Sequence, residues 1–350
     1  MKIHYTAIIL FLGFQFLITG CKKEKQWVNL PEIPLVDGEY RAEMLDSAIV
    51  YHTSPYNAFT DLAFYEGNFY LTFRIAREHG FDTTSSIKTL RSKDFVRWSD
   101  FSTNREKGLD VRDPKFLVDK EQLFLNYTTI TDNVPINKKQ LKLFAVNGID
   151  KTTLLRNDFT KNDIWYWYTG PLHGELLSMG YKDAKVNYYH MSQAKSPYLK
   201  CALDLPNHAS EGRFVADKKN LYSVVRTQFK GILVISNLLN ICAPTLFQLP
   251  IYQLGGPNIT VFNADNLLIS GRELIDNNNS GKNVKTSLFL FNTKLNTISK
   301  LMELPSFSDN GYAGHVIKND TIYVSYYDHH VATGKAVIKT ARIKIIKKNA

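Results

Sequence analysis

The sequence predicts an all-β protein folded as a β-propeller. Short runs of alternating apolar and polar residues follow one another along the chain, with almost no helical periodicity. The runs are rich in Phe, Tyr, Val and Ile, and turns such as "YEGN", "ADKKN" and "NADN" separate them, as in antiparallel hairpins. A unit of strand, polar turn and aromatic-rich strand recurs along the chain, and this repetition favours propeller blades over a β-sandwich or a jelly roll.

The first 35 residues are predicted to be a signal peptide and a tether. Residues 1–20 hold the apolar run "YTAIILFLGFQFLITG", which is short for a membrane span. Its end resembles a bacterial lipobox, so we expect Cys21 to carry a lipid; a plain anchor helix is the alternative. Residues 21–35, in which "KKEKQ" follows Cys21, are predicted to be a tether. The expected location is the cell envelope, on the periplasmic face or the cell surface.

Residues 36–350 are predicted to form a single propeller domain. A hydrophobic content of 44% and an aromatic content of 13% are sufficient for a large core. Blades of roughly 40 to 50 residues would divide this length into six, with five as the alternative.

Charge and cysteine content narrow the possible partners. The formal net charge is +10, but the basic residues are spread along the chain and no nucleic-acid recognition motif is present. We therefore expect an acidic glycan or anionic lipid as partner, and no nucleic acid. The sequence leaves open whether Cys201 and Cys242 pair. It shows no cluster of Cys and His, so neither a metal nor another cofactor is predicted.

Arginines end several of the predicted hairpins. Arg74, Arg226 and Arg272 each follow an aromatic or aliphatic strand after a polar turn. A propeller brings equivalent blade positions to one central funnel, where several guanidinium groups could bind one carboxylate bidentately. The alternative is that each arginine pairs with a carboxylate of its own blade.

The stretch "DVRDPKF" places charged residues where a turn meets a strand. We predict that Arg112 faces a substrate there and that Asp110 and Asp113 orient it through hydrogen bonds. Arg112 and Asp113 are therefore candidate substrate-binding residues. The alternative is a salt-bridged turn in which proline fixes the backbone.

Several motifs together resemble the sialidase-like superfamily. The segment "SKDFVRW" resembles a degenerate Asp-box, the turn that sialidases repeat between blade strands. The segments "EGRFVADKKNLYSVVR", "LGGPNITVFNADNLLISGR" and "LPSFSDNGYAGHVIKNDTIYVSYY" follow in the order seen in sialidase-like proteins of bacterial lipoprotein and glycan-foraging systems. The resemblance extends from about Asn57 to Lys344. It implies a six-bladed propeller that releases a terminal acidic sugar from a glycan.

The same resemblance implies a tyrosine nucleophile assisted by a carboxylate. Tyr312, in "SDNGYAGHV", stands where the nucleophile is expected, and Glu211, in "SEGRF", matches the assisting glutamate. Because a phenol has a pKa near 10, the tyrosine needs an adjacent carboxylate and nearby cations to become reactive.

The resemblance also implies an arginine triad and an acid/base aspartate. Arg226 and Arg272 match the later two arginines, and Asp82, or alternatively Asp61, is the expected acid. Where the first arginine is expected, the chain reads "AFTDL" and carries Asp61. The residues expected to replace the missing charge are Arg74, Arg77 and Arg112.

Other residues support different functions. His79, in "REHG", could abstract the C5 proton of a uronate with help from a tyrosine and an arginine, which would make the protein a polysaccharide lyase. Trp165, in "IWYWYTGP", could stack on a sugar ring, although such residues also pack blades. A glycan-binding lipoprotein without catalysis is the third alternative, because the first arginine is replaced and the Asp-box is degenerate.

Overall fold

A computed structural model of the chain describes residues 30–119, 122–131, 139–147, 151–156, 164–191, 197–275, 283–330 and 334–349. These residues form 24 β-strands and no helix, so the predicted all-β class is confirmed. Accordingly, nothing in these ranges has the length and apolar character of a membrane-spanning helix. The predicted signal peptide and Cys21 lie outside the described residues.

The strands follow one another with short turns. The first nine are β1 (Tyr40–Tyr51), β2 (Tyr56–Tyr65), β3 (Asn68–Ala76), β4 (Ser86–Ser92), β5 (Ser99–Asn104), β6 (Asp110–Asp119), β7 (Gln122–Ile130), β8 (Lys139–Asn147) and β9 (Lys151–Arg156). The next eight are β10 (Trp165–Leu172), β11 (Glu175–Lys182), β12 (Lys185–Met191), β13 (Tyr198–Ala202), β14 (Gly212–Ala216), β15 (Asn220–Val225), β16 (Lys230–Asn237) and β17 (Asn240–Tyr252). The last seven are β18 (Gly255–Val261), β19 (Asn266–Leu274), β20 (Val284–Asn292), β21 (Thr297–Leu304), β22 (Asn310–Lys318), β23 (Thr321–His330) and β24 (Lys335–Lys347).

Hydrogen bonds join consecutive strands into antiparallel sheets. Among the described strands, β6–β9, β10–β13, β14–β17 and β18–β21 form separate four-stranded sheets. The others form one eight-stranded sheet, in which β2–β5 meets β22–β24 through a parallel pairing of Tyr56 with Ala336. Strand β1 pairs with β24, so an N-terminal strand completes a group of C-terminal strands.

The first strands of these groups form a ring. Strands β2, β6, β10, β14, β18 and β22 contact one another in this cyclic order, and β22 contacts β2 again. Such a ring of inner strands is the arrangement of a β-propeller. The ring favours the predicted six blades, but hydrogen bonding merges two of the strand groups into one sheet, so the blade count stays a prediction.

A backbone distortion recurs in the inner strands. Register shifts interrupt β2, β6, β18 and β22, and a residue with positive φ lies within each shift. These residues are Phe59 (61°), Asp113 (52°), Gly256 (56°) and Tyr312 (52°). A bulge redirects side chains, and positive φ is strained for residues other than glycine. The distortion therefore sets these positions apart from the regular strands around them.

Apolar side chains pack between neighbouring sheets. The largest buried cluster takes apolar side chains from several sheets, including Phe73, Leu177, Val234 and Ile338. The segment "SKDFVRW" forms the turn between β4 and β5. There, Asp94 Oδ1 accepts hydrogen bonds from the backbone N–H groups of Val96 and Arg97.

A disulfide settles the pairing that the sequence left open. Cys201 of β13 and Cys242 of β17 are bonded, with their Cα atoms 5.2 Å apart. The bond joins two separate sheets.

Candidate active site

Tyr312 and Glu211 come from different sheets and meet at the ring of inner strands. The Tyr312 hydroxyl donates a hydrogen bond of 2.8 Å to Glu211 Oε1. Tyr312 occupies the bulge of β22, and Glu211 immediately precedes β14. Both residues are buried. The fold thus brings the predicted nucleophile into contact with its predicted partner.

The surroundings of Glu211 favour its charged form. Arg226 Nη1 lies 2.6 Å from Oε1, and the Gly256 backbone N–H donates to Oε2 at 2.6 Å. Burial raises the pKa of Glu211, but Arg226, the Gly256 N–H and the Tyr312 hydroxyl together lower it more, so the pKa lies below its ordinary value. Glu211 is therefore a carboxylate at neutral pH, placed to accept the proton of Tyr312.

Tyr312 is a protonated phenol at rest. Burial is the largest cause that raises its pKa well above the ordinary value, the charge of Glu211 adds to it, and Arg226 and Arg272 oppose it. The aromatic rings around it, with centroids 4.8 to 5.8 Å away, belong to Phe59, Trp167 and Tyr327. Loss of this proton would require a base in contact with the phenol, and Glu211 is in that position.

Gly256 makes room for the Tyr312 ring. A Cβ atom at position 256 would lie 2.5 Å from Tyr312 Cγ, which is closer than real contacts allow. The positive φ of 56° also favours glycine. Because its N–H binds Glu211, this one residue positions both members of the pair.

Arg272 binds a second carboxylate, Asp309, which the sequence analysis missed. Arg272 Nη1 lies 2.7 Å from Oδ1, and Tyr327 donates to the same oxygen at 2.6 Å. Tyr56 donates to Oδ2 at 2.5 Å, and His79 Nδ1 lies 2.8 Å from it. Burial alone would raise the pKa of Asp309, but these contacts outweigh it, and the net pKa lies below the ordinary value. Asp309 is therefore ionised at neutral pH. Its position in "SDNGY", close before Tyr312, was the only sequence indication.

The charged residues of "DVRDPK" form a buried cluster. Asp110 Oδ1 lies 2.7 Å from Arg74 Nη2, and Asp110 Oδ2 lies 2.5 Å from Arg112 Nε. Arg74 has no exposed surface. Its other donors bind the carbonyl oxygens of Val111, Glu78 and Gly80. The predicted substrate contact of Arg74 does not fit this geometry, because its guanidinium is occupied by oxygens of the protein. Arg112 is 15% exposed, and its substrate role stays a prediction.

Asp82 and Arg77 belong to the turn after β3. Asp82 accepts hydrogen bonds from the backbone N–H groups of Arg77 and Thr84, at 2.7 and 2.9 Å, and from the Thr84 hydroxyl at 2.7 Å. Burial raises the pKa of Asp82, but these bonds lower it below the ordinary value. A carboxylate held in this way is a poor proton donor, so the predicted acid role of Asp82 does not fit. The Arg77 side chain pairs with Asp82 and is 70% exposed.

Asp61, the alternative acid, is also engaged by the protein. Arg213 Nη1 lies 2.8 Å from Oδ1, and the Phe116 backbone N–H donates to Oδ2 at 2.8 Å. Only 1% of the Asp61 side chain is exposed. Asp61 therefore links β2 to β14 and β6. It has this structural role at the position where the resemblance implies an arginine.

Lys115 and Asp113 lie near the Tyr312 pair. Lys115, which the sequence analysis missed, is buried with Nζ 5.2 Å from the Trp167 centroid and 5.9 Å from that of Tyr312. Burial lowers the pKa of Lys115, and neighbouring carboxylates oppose the shift. Burial raises the pKa of Asp113 to about 6. The charge of Lys115 opposes this rise, and the charge of Glu211 adds to it. A buried carboxyl group with a raised pKa therefore lies close to the Tyr312 pair.

The aromatic run around Trp165 mostly packs the sheets. Trp165 is partly buried and stacks on Tyr181, with ring centroids 5.9 Å apart and planes 9° apart. Trp167 is buried and lies 5.5 Å from the Tyr312 ring. Binding of a sugar to Trp165 stays a prediction. Within the described ranges, no group of His, Cys, Asp and Glu is arranged to hold a metal ion.

Comparison with known proteins supports the fold. No protein-family model matches the chain, and no curated protein matches its sequence. Trypanosoma rangeli sialidase in complex with sialic acid is similar over 89% of this chain and 59% of the sialidase, with a TM-score of 0.58 and 10% identity. The same enzyme with 2,3-difluorosialic acid, described as a covalent intermediate, is similar over 87% and 59%, with a TM-score of 0.56 and 10% identity.

The likeness establishes a propeller fold of the kind found in glycoside hydrolases. At 10% identity it establishes the fold alone. The chain also spans only 59% of the length of the sialidase. Activity and substrate must therefore be argued from the residues of this chain.

Proposed function

We propose that the protein is a glycoside hydrolase that releases a terminal acidic sugar from a glycan. The observation that carries this proposal is the hydrogen bond of 2.8 Å from Tyr312 to the ionised Glu211. A buried phenol in contact with a carboxylate and close to arginines is suited to act as a nucleophile, because the carboxylate can take its proton during attack. The propeller fold shared with sialidases supports the same proposal.

The proposed reaction retains the configuration of the sugar. The Tyr312 oxygen attacks the anomeric carbon while its proton passes to Glu211, and the bond to the leaving oxygen breaks. Water then releases the sugar from Tyr312. A glycosidase with a tyrosine nucleophile departs from the common scheme of two carboxylates.

The arginines favour an anionic sugar. Their side chains keep some exposed surface: 32% for Arg226, 18% for Arg272 and 15% for Arg112. Guanidinium groups bind carboxylates through paired hydrogen bonds, so these three are proposed to hold the sugar carboxylate. Because Asp61 occupies the position of the first expected arginine, Arg112 is proposed as its replacement.

A polysaccharide lyase is the second candidate. Tyr56 Oη lies 2.5 Å from His79 Nδ1, so a histidine and a tyrosine are in contact as that chemistry requires. A lyase would remove the C5 proton of a uronate and leave an unsaturated product.

We also propose that a lipid on Cys21 anchors the protein in the cell envelope. The support is the apolar run with its lipobox-like end. The disulfide between Cys201 and Cys242 agrees with an oxidising compartment.

Turnover of a panel of acidic oligosaccharides tests the proposed function. We expect release of a free acidic sugar, and a loss of at least about 1,000-fold in kcat for Tyr312→Phe and Glu211→Gln. Tyr326→Phe is the matched control, because the hydroxyl of this buried tyrosine binds the Pro305 carbonyl and makes no contact with the pair. An unsaturated product absorbing in the ultraviolet would indicate the lyase instead. Binding of a glycan without turnover would indicate a non-catalytic protein.

A further inference from the structure

The proposed hydrolysis needs a proton donor for the leaving oxygen. Asp82 is held as an anion by backbone and hydroxyl donors, and Asp61 is buried against Arg213. A sugar oxygen leaves slowly unless it receives a proton as the bond breaks. A group other than these two aspartates is therefore needed as the donor.

His79 and Asp309 form an imidazole–carboxylate pair beside Arg272. His79 Nδ1 lies 2.8 Å from Asp309 Oδ2, and 54% of the His79 side chain is exposed. With Nδ1 turned to the carboxylate, Nε2 is the nitrogen that a substrate can reach. Arg272 and Tyr327 fix the other carboxylate oxygen at 2.7 and 2.6 Å, so the imidazole has an immobilised partner.

The turn that carries His79 is held by the buried Arg74 and the partly buried Arg112. Arg74 donates to the carbonyl oxygens of Glu78 and Gly80, at 2.9 and 3.0 Å. Arg112 Nη2 donates to Gly80 at 2.5 Å. The residues on both sides of His79 are thus fixed, as a preorganised catalytic group requires.

His79 and Tyr312 lie against the same aromatic ring. Both side chains contact the Phe59 ring, with centroid distances of 5.4 Å for His79 and 4.8 Å for Tyr312. Tyr327 connects them a second time, because its ring lies 5.8 Å from Tyr312 while its hydroxyl binds Asp309.

We propose that His79 is the acid and base of the hydrolysis and that Asp309 is its positioning residue; this rests on the function proposed above. In the first step the Tyr312 oxygen bonds to the anomeric carbon, its proton passes to Glu211, and the leaving oxygen takes a proton from His79 Nε2. In the second step a water molecule gives a proton to Nε2 and its oxygen bonds to the anomeric carbon. The Tyr312 oxygen departs and recovers its proton from Glu211, so every group regains its starting state.

Two substrates with the same acidic sugar test this role. A nitrophenol departs as its anion without receiving a proton, whereas the alcohol of a second sugar must be protonated as it leaves. His79→Gln is expected to lower kcat/KM on the sugar-linked substrate by about 100-fold or more, and to change it little on the nitrophenyl glycoside. Asp309→Asn is expected to show the same preference with a smaller loss, about 10-fold, because it acts through the imidazole.

Controls separate the possible failures. His329→Gln, whose ring lies 6.4 Å from that of Tyr56, should leave both rates unchanged. If His79→Gln loses activity equally on both substrates, or on neither, the role of His79 is overturned. If Asp113→Asn, and not His79→Gln, loses activity only on the sugar-linked substrate, the proton donor is Asp113 and the role of His79 is overturned. If the wild-type protein cleaves neither substrate, the proposed function fails and this role with it.

Discussion

Arg74 and Asp110 form an ion pair in which neither side chain is exposed, with Nη2 and Oδ1 2.7 Å apart. Ser85 also donates to Asp110 Oδ1 at 2.8 Å. The pair joins β3 to the start of β6 and, through the other donors of Arg74, fixes the turn that carries His79. Asp110, at the start of β6, therefore helps to hold the turn that carries His79.

Removal of one partner from this buried pair should be costly. Arg74→Met is expected to lower the free energy of unfolding by roughly 3 to 5 kcal/mol, because it leaves the Asp110 charge buried without its main partner. Arg77→Met is the matched control and should cost less than about 1 kcal/mol, because the Arg77 side chain is 70% exposed and Asp82 keeps its backbone and hydroxyl donors. Urea unfolding of both variants measures the difference, and equal costs would contradict the structural role of Arg74.

Gly256 should be required for activity more than for folding. Gly256→Ala is expected to lower kcat by about 100-fold, because the added methyl group displaces the Tyr312 ring. Gly67→Ala is the control: Gly67 also has a positive φ, 76°, but a Cβ atom there meets nothing within 4 Å. It should cost about 1 kcal/mol of stability and leave kcat unchanged. Equal activity of the two variants would show that Gly256 does not position the pair.

The buried carboxyl of Asp113 should make stability depend on pH. Its pKa in the folded protein is about 6, above the ordinary value of 3.8, so the folded state binds this proton more tightly than the unfolded state. The stabilisation from the bound proton is present below pH 3.8 and is lost as the pH rises to about 6. Asp113→Asn should therefore gain stability relative to wild type over this interval, by roughly 2 to 3 kcal/mol.

Asp82→Asn provides the comparison of opposite sign. The pKa of Asp82 is lowered in the folded protein, so its charge stabilises the fold at neutral pH and that stabilisation is lost as the pH falls. The variant should be less stable than wild type at pH 7, and the gap should narrow in acid. The narrowing should occur below pH 3.8, where Asp82 is protonated in the unfolded chain. Chemical unfolding from about pH 2 to pH 8 measures both variants, and parallel curves for Asp113→Asn and wild type would contradict the assigned shift.

The disulfide should stabilise the protein through its closed loop. Cys201 and Cys242 are 41 residues apart, and a loop of this length is expected to contribute about 4 kcal/mol in the chain-entropy treatment. Replacement of both cysteines by alanine should lower the free energy of unfolding by up to this amount. A reducing agent should destabilise the wild type and leave the double variant unaffected. Equal sensitivity of both proteins would contradict the assigned bond.

The fold class could be predicted because strand periodicity and turn residues are local properties. Runs such as "LAFYEGNFYLTFR" contain two strands and their turn, and the structure has β2 and β3 there. The resemblance also selected Tyr312 and Arg226, which both contact the selected Glu211, and Arg272, which binds Asp309. The pairing of Cys201 with Cys242 could not be predicted, because it depends on how two separate sheets pack.

Some predicted site roles do not fit the contacts that the folded chain makes. Arg74 and Arg226 both end a strand after a polar turn, but Arg74 lies under the turn of residues 78–80 and is wholly buried. Asp309 was missed because its contact with His79 spans 230 positions of the chain. Asp82 looked available as an acid, but the local turn saturates its oxygens.

The central claim is that Tyr312 is the nucleophile, and trapping of the sugar on the protein tests it most directly. The protein would be incubated with fluorinated glycosyl fluorides of acidic sugars, which slow the release of a covalent intermediate, and its intact mass would be measured before peptide mapping. We expect a mass increase of one sugar, located on the peptide that contains Tyr312 and absent from Tyr312→Phe. A sugar attached to another residue, or an adduct that persists in Tyr312→Phe, would contradict the claim.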